Sequence, residues 1–285
     1  MKHVIIGNGI AGVCATEAIR LLDATADITL IGDETFPPYS RPMISQVLDG
    51  SQPHGKLPIR SEHFYDEQNI TPVLGRRAGG IDVANRQVLM ADDTRIDFDR
   101  LLIASGADPR PLKAEGLDLK NIFYMRTQDH AKQQVAALDG ARRAVVLGGG
   151  LVGFKAAYGL LKRGLAVTML ITSGYPLSMQ VDETAGRMIL DELVRHGLRV
   201  EVGVSVCAFE GNGSVQAAVT DAGTRLPCDM VIIGKGVMPC RMFIPKGPIE
   251  VDLGVVVDEH LQTTAPGIYA AGDVAELVDL SLIHI

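Results

Sequence analysis

The feature that most constrains the fold of this chain is an internal repeat, in which one short pattern occurs twice. Residues 4–12 read VIIGNGIAG, and residues 145–153 read VVLGGGLVG. Each copy is an apolar run followed by G-x-G-x-x-G, an Ala- and Leu-rich segment and a second β-branched run, at residues 28–31 and 167–171. This order predicts a strand, a tight turn, a helix and a strand, so we expect a βαβ unit in each copy.

The glycine spacing predicts a dinucleotide-binding turn in each copy. The first glycine permits the sharp turn, the second lets the backbone approach a pyrophosphate, and the third lets the helix pack closely on the sheet. The helix N-terminus then directs amide donors at the phosphates. One copy could instead be a structural duplicate that binds nothing. The predicted binding residues are Gly7, Gly9, Ile10, Ala11 and Gly12 in the first turn and Gly148, Gly150, Leu151, Val152 and Gly153 in the second.

The two copies differ where an adenosine ribose is expected to bind. In the first copy, Asp33 and Glu34 follow the second strand, and Asp33 is 21 residues beyond Gly12 (position 33 against position 12). A carboxylate at this distance can accept hydrogen bonds from ribose hydroxyls. The second copy ends its strand with residues 172–174, which read TSG, with neither an acid nor a nearby arginine. The choice between NAD and NADP therefore stays open at this point.

Length, composition and charge define the class of protein. With ~150 residues per domain as a guide, the 285 residues predict two domains. The 27 Lys and Arg residues against 34 Asp and Glu residues give a net charge of -7, which argues against a nucleic-acid-coating surface. No apolar run reaches the ~18 residues of a membrane-spanning helix. The first residues already resemble a strand, which leaves no room for a cleaved signal. We therefore expect a cytoplasmic protein without membrane or nucleic-acid partners.

The cysteines give no sign of a metal site or of a disulfide pair. Cys14, Cys207, Cys228 and Cys240 form no C-x-x-C motif, and the seven histidines show no ligand spacing, so no metal is predicted. We expect Cys14 to be an inert thiol on the helix face that packs against the sheet.

Three further segments stand in a fixed order along the chain. Residues 101–110 read LLIASGADPR, residues 234–239 read GKGVMP, and residues 267–274 read GIYAAGDV. Together with the two glycine turns, they resemble the FAD-dependent pyridine nucleotide-disulfide oxidoreductases. The resemblance implies an α/β fold of two nested Rossmann-like dinucleotide-binding domains, similar to the FAD/NAD(P)-binding fold of glutathione reductase, with a C-terminal interface domain missing from this chain.

The resemblance also implies domain boundaries and further binding residues. An FAD-binding domain would comprise residues 1–111 and 243–285, and an NAD(P)-binding domain residues 112–242, opening with a helix-like segment at 127–138. Asp273 would bind a ribityl hydroxyl of FAD at the start of a helix, or serve as an ordinary helix cap. The other residues implied for FAD or NAD(P)H are Arg41, Ala78, Ala104, Ser105, Gly106, Arg110, Lys155, Gly236 and Gly272.

The branch of the family is indicated by what the segment after Glu34 contains. No cysteine lies between Cys14 and Cys207, so a thiol relay beside the flavin is not expected. Residues 38–45 read PYSRPMIS instead, which resembles the ferredoxin, rubredoxin and nitrite reductase branch. That branch implies an enzyme that passes electrons from NAD(P)H through FAD to a small rubredoxin- or ferredoxin-like protein or a fused redox centre, and leaves a homodimer open. The alternative is a flavin-binding sensor or scaffold module without NAD(P)H turnover.

Two positions depart from the pattern of that branch. Relatives commonly carry Lys where this chain has Gln46, and Glu where it has Lys155. A Lys155 ammonium in a pocket of low dielectric constant would favour negative charge on a reduced flavin and raise its potential. Alternatively, the side chain extends along its helix into solvent. No residue is assigned a catalytic role. Docking of an acidic partner would need a local cationic patch such as Arg142, Arg143, Lys162 and Arg163, which could equally be solvated helix ends.

Overall fold

The computed structural model describes residues 1–277; residues 278–285, which the predicted FAD-binding domain includes, lie outside the described part. The helices are α1 (Ile10–Leu22), α2 (Ile44–Leu48), α3 (Phe64–Glu67), α4 (Gln128–Ala136), α5 (Leu151–Lys162) and α6 (Glu183–Arg195), with 3₁₀ turns at Arg41–Met43 and His54–Lys56. The strands are β1 (Lys2–Ile6), β2 (Asp27–Gly32), β3 (Ile70–Leu74), β4 (Ala78–Asp82), β5 (Gln87–Met90), β6 (Arg95–Asp97), β7 (Arg100–Ile103), β8 (Ala107–Pro109), β9 (Ile122–Tyr124), β10 (Arg143–Leu147), β11 (Ala166–Ile171), β12 (Arg199–Val202), β13 (Val206–Asn212), β14 (Ser214–Thr220), β15 (Arg225–Pro227), β16 (Met230–Ile233), β17 (Val237–Pro239), β18 (Val255–Val257), β19 (Ile268–Ala270) and β20 (Ala275–Leu277).

The chain divides into two compact units. Unit 1 comprises residues 1–40, 58–108 and the chain from 238 onward, and unit 2 comprises residues 41–57 and 109–237. Residues 41–57 fall within the first predicted domain but group with unit 2, through packing of α2 on α4 and α5. No helix among residues 1–277 is long and apolar enough to cross a membrane.

Unit 1 is built on a five-stranded parallel sheet in the order β19-β7-β1-β2-β3. Successive side chains of a strand point to opposite faces, and β1 shows this directly. Val4 and Ile6 join a core with the antiparallel β4-β5-β6 sheet, whereas Ile5 joins a core with α1 and α3. The sheet is thus buried on both faces, which explains the continuous apolar runs in its strands.

Unit 2 has a similar parallel sheet in the order β12-β11-β10-β16-β9. Its strands β10, β11, β12 and β16 occupy the places of β1, β2, β3 and β7, but its edge strand β9 precedes the others in the chain, whereas β19 follows them in unit 1. The antiparallel β13-β14-β15 sheet of unit 2 shares a core with Val145 and Leu147 of β10, on one face. The two predicted βαβ units are confirmed as β1-α1-β2 and β10-α5-β11. The helix expected at 127–138 is confirmed as α4, whose N-cap Thr127 accepts a hydrogen bond from the amide of His130.

Two sequence expectations are wrong. The chain does not enter a helix directly after Asp273, because residues 275–277 form β20 and pair in parallel with β18. Cys14 is exposed, because the buried face of α1 consists of Gly12, Val13 and Thr16. At 100° per residue, Cys14 points away from that face.

Candidate dinucleotide-binding sites

In unit 1, the carboxyl ends of adjacent parallel strands bring the predicted binding residues to one edge of the sheet. The first glycine turn (residues 7–12) follows β1, and the Gly7 amide donates to the Ile31 carbonyl at 2.8 Å. Residues 104–106 follow β7, and the Ala104 amide donates to the Ile6 carbonyl at 2.8 Å. Ligands of open α/β sheets bind at this edge.

Two glycines of the first turn are required by the protein's own packing. Gly7 has a φ of +131°, and a Cβ on it would lie 2.0 Å from the Ala104 carbonyl oxygen. A Cβ on Gly12 would lie 2.0 Å from the Gly7 carbonyl oxygen, where α1 crosses the strand end. Neither position can accept a larger residue without moving the backbone, so both glycines are structural.

Gly9 is different, because nothing in the surrounding protein requires a glycine there. It is the N-cap of α1 with φ −91° and ψ −174°, an extended conformation open to any residue, and a Cβ on it would meet no atom within 4 Å. No side chain caps the helix, and its first turn carries no acid. The first amides of α1 therefore have no side-chain cap, and the space beside Gly9 is open, which fits a pyrophosphate that approaches the backbone.

The loop after β2 carries the predicted ribose carboxylate. Asp33 is exposed, while Glu34 accepts a hydrogen bond from the Tyr39 hydroxyl at 2.7 Å. The Gly75 amide donates to the Glu34 carbonyl at 3.2 Å, which brings the end of β3 beside this loop. Ala78, the first residue of β4, is only 5% exposed, so its side chain offers a ligand little surface.

The segment after β7 is hydrogen-bonded to the segment around Cys240, which follows unit 2 in the sequence. The Ser105 hydroxyl donates to the Cys240 carbonyl at 2.9 Å, and the Cys240 amide donates to the Gly106 carbonyl at 2.9 Å. Burial raises the pKa of the Cys240 thiol to about 11, so this thiol stays protonated at neutral pH. Ser105 thus has a structural partner as well as its predicted binding role.

The GIYAAGDV segment reaches the same edge. Gly272 has a φ of +79°, and a Cβ on it would lie 3.2 Å from the Cβ of Ala11 in the first turn of α1. Gly272 and the exposed Asp273 therefore lie beside the first glycine turn, where the resemblance expects them to contact FAD.

Unit 2 reproduces the same geometry at the second glycine turn (residues 148–153). Gly148 has a φ of +111°, and its Cβ would lie 2.4 Å from the Gly234 carbonyl oxygen, while that of Gly153 would lie 1.9 Å from the Gly148 oxygen. Gly150 is the N-cap of α5 with φ −93° and ψ −179°, and its Cβ would meet no atom within 4 Å. The second turn is therefore a cradle of the same kind, open to a second pyrophosphate.

The residues that follow the two open glycines are alike. Ile10 is 61% exposed and Leu151 is 59% exposed. Ala11 and Val152 are half-buried beside them. These four residues border the two cradles.

Arg110 and Gly236 lie together in unit 2. The Arg110 amide donates to the Gly236 carbonyl at 3.0 Å, and its Nε donates to the Val237 carbonyl at 3.0 Å. Arg110, which the resemblance implies for the FAD domain, is thus held against the turn that follows β16. Lys155 is exposed on α5, which fits the solvated alternative for its side chain.

Arg41 and Gln46 belong to residues 41–57, which form part of unit 2. Arg41 is half-buried, and its Nη1 donates to the Arg126 carbonyl at 3.3 Å. The Arg163 guanidinium donates to the carbonyls of Leu48 at 2.8 Å and Val47 at 3.3 Å, at the end of α2. A Cβ on Gly159 would lie 3.2 Å from Leu48, so α5 and α2 approach closely at a glycine.

Three of the four residues suggested as a cationic patch have partners within unit 2. Arg143 forms an ion pair with Asp229 at 3.1 Å, and Lys162 lies 3.6 Å from Asp49. Arg163 binds the end of α2, and Arg142 is exposed. These contacts support the structural alternative over a docking patch.

One candidate that the sequence interpretation missed is Lys235. It is half-buried and its Nζ donates to the Ser205 hydroxyl at 3.2 Å. Burial lowers the pKa of Lys235, although the Asp221 carboxylate acts in the opposite direction. The signal was a lysine between the two glycines of residues 234–236, at the carboxyl end of β16.

All four cysteines are free thiols, and burial raises the pKa of Cys228 to about 12. Among residues 1–277, no group of three or more His, Cys, Asp or Glu side chains could hold a metal ion.

The fold and the two cradles define a protein with two Rossmann-like dinucleotide-binding units. The family model described as "Pyridine nucleotide-disulphide oxidoreductase" matches residues 1–284, and the chain belongs to this family. This confirms the resemblance and the expected fold class. Members of the family are FAD-dependent and use NAD(P)H as a co-substrate.

Individual relatives point to one branch of the family. The chain is 31% identical over 277 residues to rubredoxin-NAD(+) reductase of Pseudomonas putida, covering 96% of this chain and 72% of that protein. It is 36% identical over 281 residues to putidaredoxin reductase of Pseudomonas putida, covering 95% and 66%. It is 30% identical over 276 residues to the assimilatory nitrate reductase electron transfer subunit of Bacillus subtilis, covering 96% and 36%. The chain therefore spans between about a third and three quarters of the length of these relatives.

Solved structures agree with this grouping. The crystal structure of a covalent putidaredoxin reductase–putidaredoxin complex matches with a TM-score of 0.92 and 32% identity, covering 98% of this chain and 69% of that one. A ferredoxin reductase for the CYP199A2 system from Rhodopseudomonas palustris matches with a TM-score of 0.92 and 29% identity, covering 98% and 70%.

Proposed function

We propose that this chain is the FAD- and NAD(P)H-binding part of a flavoprotein oxidoreductase that carries electrons from NAD(P)H to a small redox protein or a fused redox centre. The observation that carries the proposal is the pair of glycine turns. In both, the protein's own packing explains the first and third glycines but not the second. Gly9 and Gly150 leave room at a helix N-terminus that only a bound ligand would use.

Each unit would bind one of the two nucleotides. Unit 1 would bind FAD, with the first glycine turn at the pyrophosphate, Asp33 at the adenosine ribose, and Gly272 and Asp273 beside the same turn. Unit 2 would bind NAD(P)H at the second glycine turn, with Arg110 and Gly236 at the neighbouring strand end. These roles are supported by the shared sheet edge of each unit and by the family.

Bound FAD would supply the redox chemistry, taking a hydride from NAD(P)H and passing electrons to the acceptor. The residues of this chain would bind and orient the two nucleotides through backbone amides. No side chain is needed as a nucleophile, and the protonated thiols of Cys228 and Cys240 are unsuited to a thiol relay.

The acceptor proposed is a rubredoxin- or ferredoxin-like protein. Its support is that a rubredoxin reductase and a putidaredoxin reductase are among the relatives, and that a putidaredoxin complex is among the similar structures. We also propose a cytoplasmic location, supported by four cysteines that are all free thiols, as expected in a reducing compartment. A homodimer remains a proposal drawn from the resemblance.

An anaerobic reduction experiment tests the function. The 285-residue chain, reconstituted with FAD and freed of excess, should be yellow and should bleach when NADH or NADPH is added. The Gly150→Ala variant should stay yellow but bleach poorly, because its added methyl fills only the second cradle. Reduction of an added rubredoxin or ferredoxin then tests the acceptor separately.

Other outcomes would contradict the proposal. A chain that is yellow but is not bleached by either nucleotide would be a flavin-binding module without turnover. A chain that does not retain FAD would contradict the role of unit 1.

A further inference from the structure

The first glycine turn carries a polar side chain, Asn8, at a position where the second turn has a glycine. Asn8 stands between the first two glycines of residues 7–12, and Gly149 stands at the same place in residues 148–153. A Cβ on Gly149 would lie 2.7 Å from the Cγ2 of Ile171, so a larger residue there would displace that side chain. The two units therefore differ at a residue inside their shared motif.

The Asn8 side chain is hydrogen-bonded to two separate segments of unit 1. Its Nδ2 donates to the Phe36 carbonyl at 3.1 Å and to the Tyr65 hydroxyl at 2.9 Å. Because a carbonyl oxygen can only accept, the bond to Phe36 fixes the orientation of the amide. The Oδ1 of Asn8 is then buried without a hydrogen-bond partner within residues 1–277. The donors of this side chain are thus used by the protein itself, one on the loop after β2 and one on α3.

The loop that Asn8 contacts is the ribose loop (residues 33–36), which carries the predicted ribose carboxylate, Asp33. Asn8 also packs against the residue before this loop, because a Cβ on Gly32 would lie 3.1 Å from the Cβ of Asn8. The Asp33 side chain is exposed. Asn8 therefore connects the turn predicted to bind pyrophosphate with the loop that ends in Phe36 and is predicted to bind ribose.

Unit 2 makes the corresponding connection without a side chain. The Leu177 amide donates to the Gly149 carbonyl at 2.8 Å, so the chain that follows β11 is bonded directly to the backbone of the second glycine turn. In unit 1, the chain that follows β2 is bonded to the Asn8 amide group instead. Both units thus hold the glycine turn and the following loop together, one through backbone and the other through Asn8.

Tyr65 attaches the Asn8 amide to the core of unit 1. Its ring packs against the ring of Phe64 with 5.4 Å between centroids, and Phe64 is only 2% exposed. Burial raises the pKa of the Tyr65 hydroxyl, so this hydroxyl stays protonated at neutral pH. The Asn8 side chain is therefore held between a core helix and the ribose loop.

We propose that Asn8 is a positioning residue for FAD in unit 1, because its amide fixes the ribose loop relative to the first glycine turn. A ligand that uses the turn and the loop at once binds more tightly when both are already in place, since less conformational entropy is lost on binding. Asn8 acts in this role through Asp33 and not by contact with the flavin. The inference rests on the proposed function of unit 1 as the FAD site.

A double-mutant cycle on FAD binding tests the proposal in the full 285-residue chain. The apoprotein is titrated with FAD, and the change in flavin fluorescence gives the Kd. Asn8→Ala and Asp33→Ala should each raise the Kd by about tenfold. The double variant should raise it by about 10- to 20-fold, because Asn8 has no effect through Asp33 once Asp33 is gone. Independent effects would instead multiply to about 100-fold.

Chemical unfolding of the apoprotein separates positioning from a general loss of fold. Asn8→Ala removes two hydrogen bonds but also the unpartnered Oδ1, so it should lose no more stability than Asn85→Ala. Asn85 is exposed between β4 and β5, where its side chain donates to Asp82 at 2.8 Å, and Asn85→Ala should leave the Kd for FAD unchanged. Asn8→Leu, which has the shape of Asn without its donors, is the second variant and should raise the Kd as Asn8→Ala does.

The remaining outcomes distinguish this inference from the proposed function. A Kd that is unchanged in Asn8→Ala and Asn8→Leu would overturn the inference and leave the FAD site standing. A loss of about 100-fold in the double variant would overturn it too, because Asn8 would then act independently of Asp33. The same holds if Asp33→Ala binds FAD like the parent, since Asn8 would have no ribose-binding side chain to position. A parent that does not bind FAD would contradict the proposed function itself.

Discussion

At the scale of single residues, the two glycine turns separate positions that the fold requires from positions that a ligand requires. Gly7 and Gly12 leave no room for a Cβ, whereas Gly9 has room and an extended backbone. The same separation holds for Gly148, Gly153 and Gly150. A motif that looks uniform in the sequence therefore contains two kinds of constraint.

Alanine substitutions should distinguish the two kinds. Gly12→Ala should destabilise unit 1 by about 3 kcal/mol or prevent its folding, because the new methyl would lie 2.0 Å from the Gly7 oxygen. Gly9→Ala should change the unfolding free energy by less than about 0.5 kcal/mol but weaken FAD retention. Chemical unfolding of the apoprotein and FAD titration provide the two measurements. Equal loss of stability in both variants would contradict the distinction.

The charge at Lys155 gives a second prediction at this scale. If its ammonium acts on the flavin, Lys155→Glu should lower the flavin midpoint potential by about 30 mV, equivalent to about 1.4 kcal/mol for a two-electron couple. Lys113→Glu, an exposed site in the same unit with the same change in charge, is the control. A potential that does not differ between the two variants would assign Lys155 to the solvated alternative.

At the scale of elements, α2 is the piece whose position the sequence did not predict. Its residues follow the first ribose loop, so the resemblance placed them in the FAD domain, but α2 packs on α4 and α5 of unit 2. The close approach depends on Gly159 meeting Leu48 and on Arg163 reaching the carbonyls at the end of α2. Residues that are more than 100 positions apart in the chain make these contacts, so no local sequence pattern predicts them.

Removing the Arg163 guanidinium should loosen α2. Arg163→Met leaves the carbonyls of Val47 and Leu48 without this donor, and we expect a loss of about 1–2 kcal/mol in local stability. Amide hydrogen exchange over residues 44–52 should accelerate in this variant. Arg187→Met, which breaks only an exposed pair with Glu183, is the control and should leave that exchange unchanged. Unaltered exchange in Arg163→Met would show that packing alone holds α2.

Other elements show what sequence reasoning could and could not reach. The βαβ units were predictable because glycine spacing and apolar runs are local signals of the turn and its strands. The chain after Asp273 was mispredicted as a helix, because its pairing with β18 depends on a strand about 20 residues earlier. Cys14 was misplaced because the buried face of α1 follows the small and β-branched residues Gly12, Val13 and Thr16. The binding roles of individual residues stay predictions.

At the scale of the whole molecule, the Asp229 carboxylate makes the free energy of unfolding depend on pH. Asp229 joins the starts of β10 and β16 by accepting from the amides of Arg142 at 3.0 Å and Arg143 at 2.9 Å. Burial pushes the pKa of Asp229 upward, but the hydrogen bonds from Arg143 and these amides outweigh it and hold the pKa below its usual value. The carboxylate therefore favours the folded state when it is ionised.

The sign of the pH dependence follows from this lowered pKa. The stabilisation is fully present above the unfolded pKa of about 3.9 and is lost as pH falls through the lower folded value. Asp229→Asn should cost about 1–2 kcal/mol at pH 7, and the difference from the parent should shrink below about pH 3. Denaturant unfolding at both pH values measures this. Asp139→Asn, at an exposed carboxylate of the same unit, should show no such difference.

The strand orders of the two units also have a consequence for biosynthesis. All five strands of the unit 2 sheet lie between residues 122 and 233, so they leave the ribosome in one stretch. The unit 1 sheet needs β19 at residues 268–270 to cover β7, which was translated more than 160 residues earlier. During that interval β7 is an unprotected edge with free backbone donors and acceptors. We therefore expect the nascent chain to be most prone to mispairing at the β7 edge of unit 1, until β19 is translated and pairs with β7.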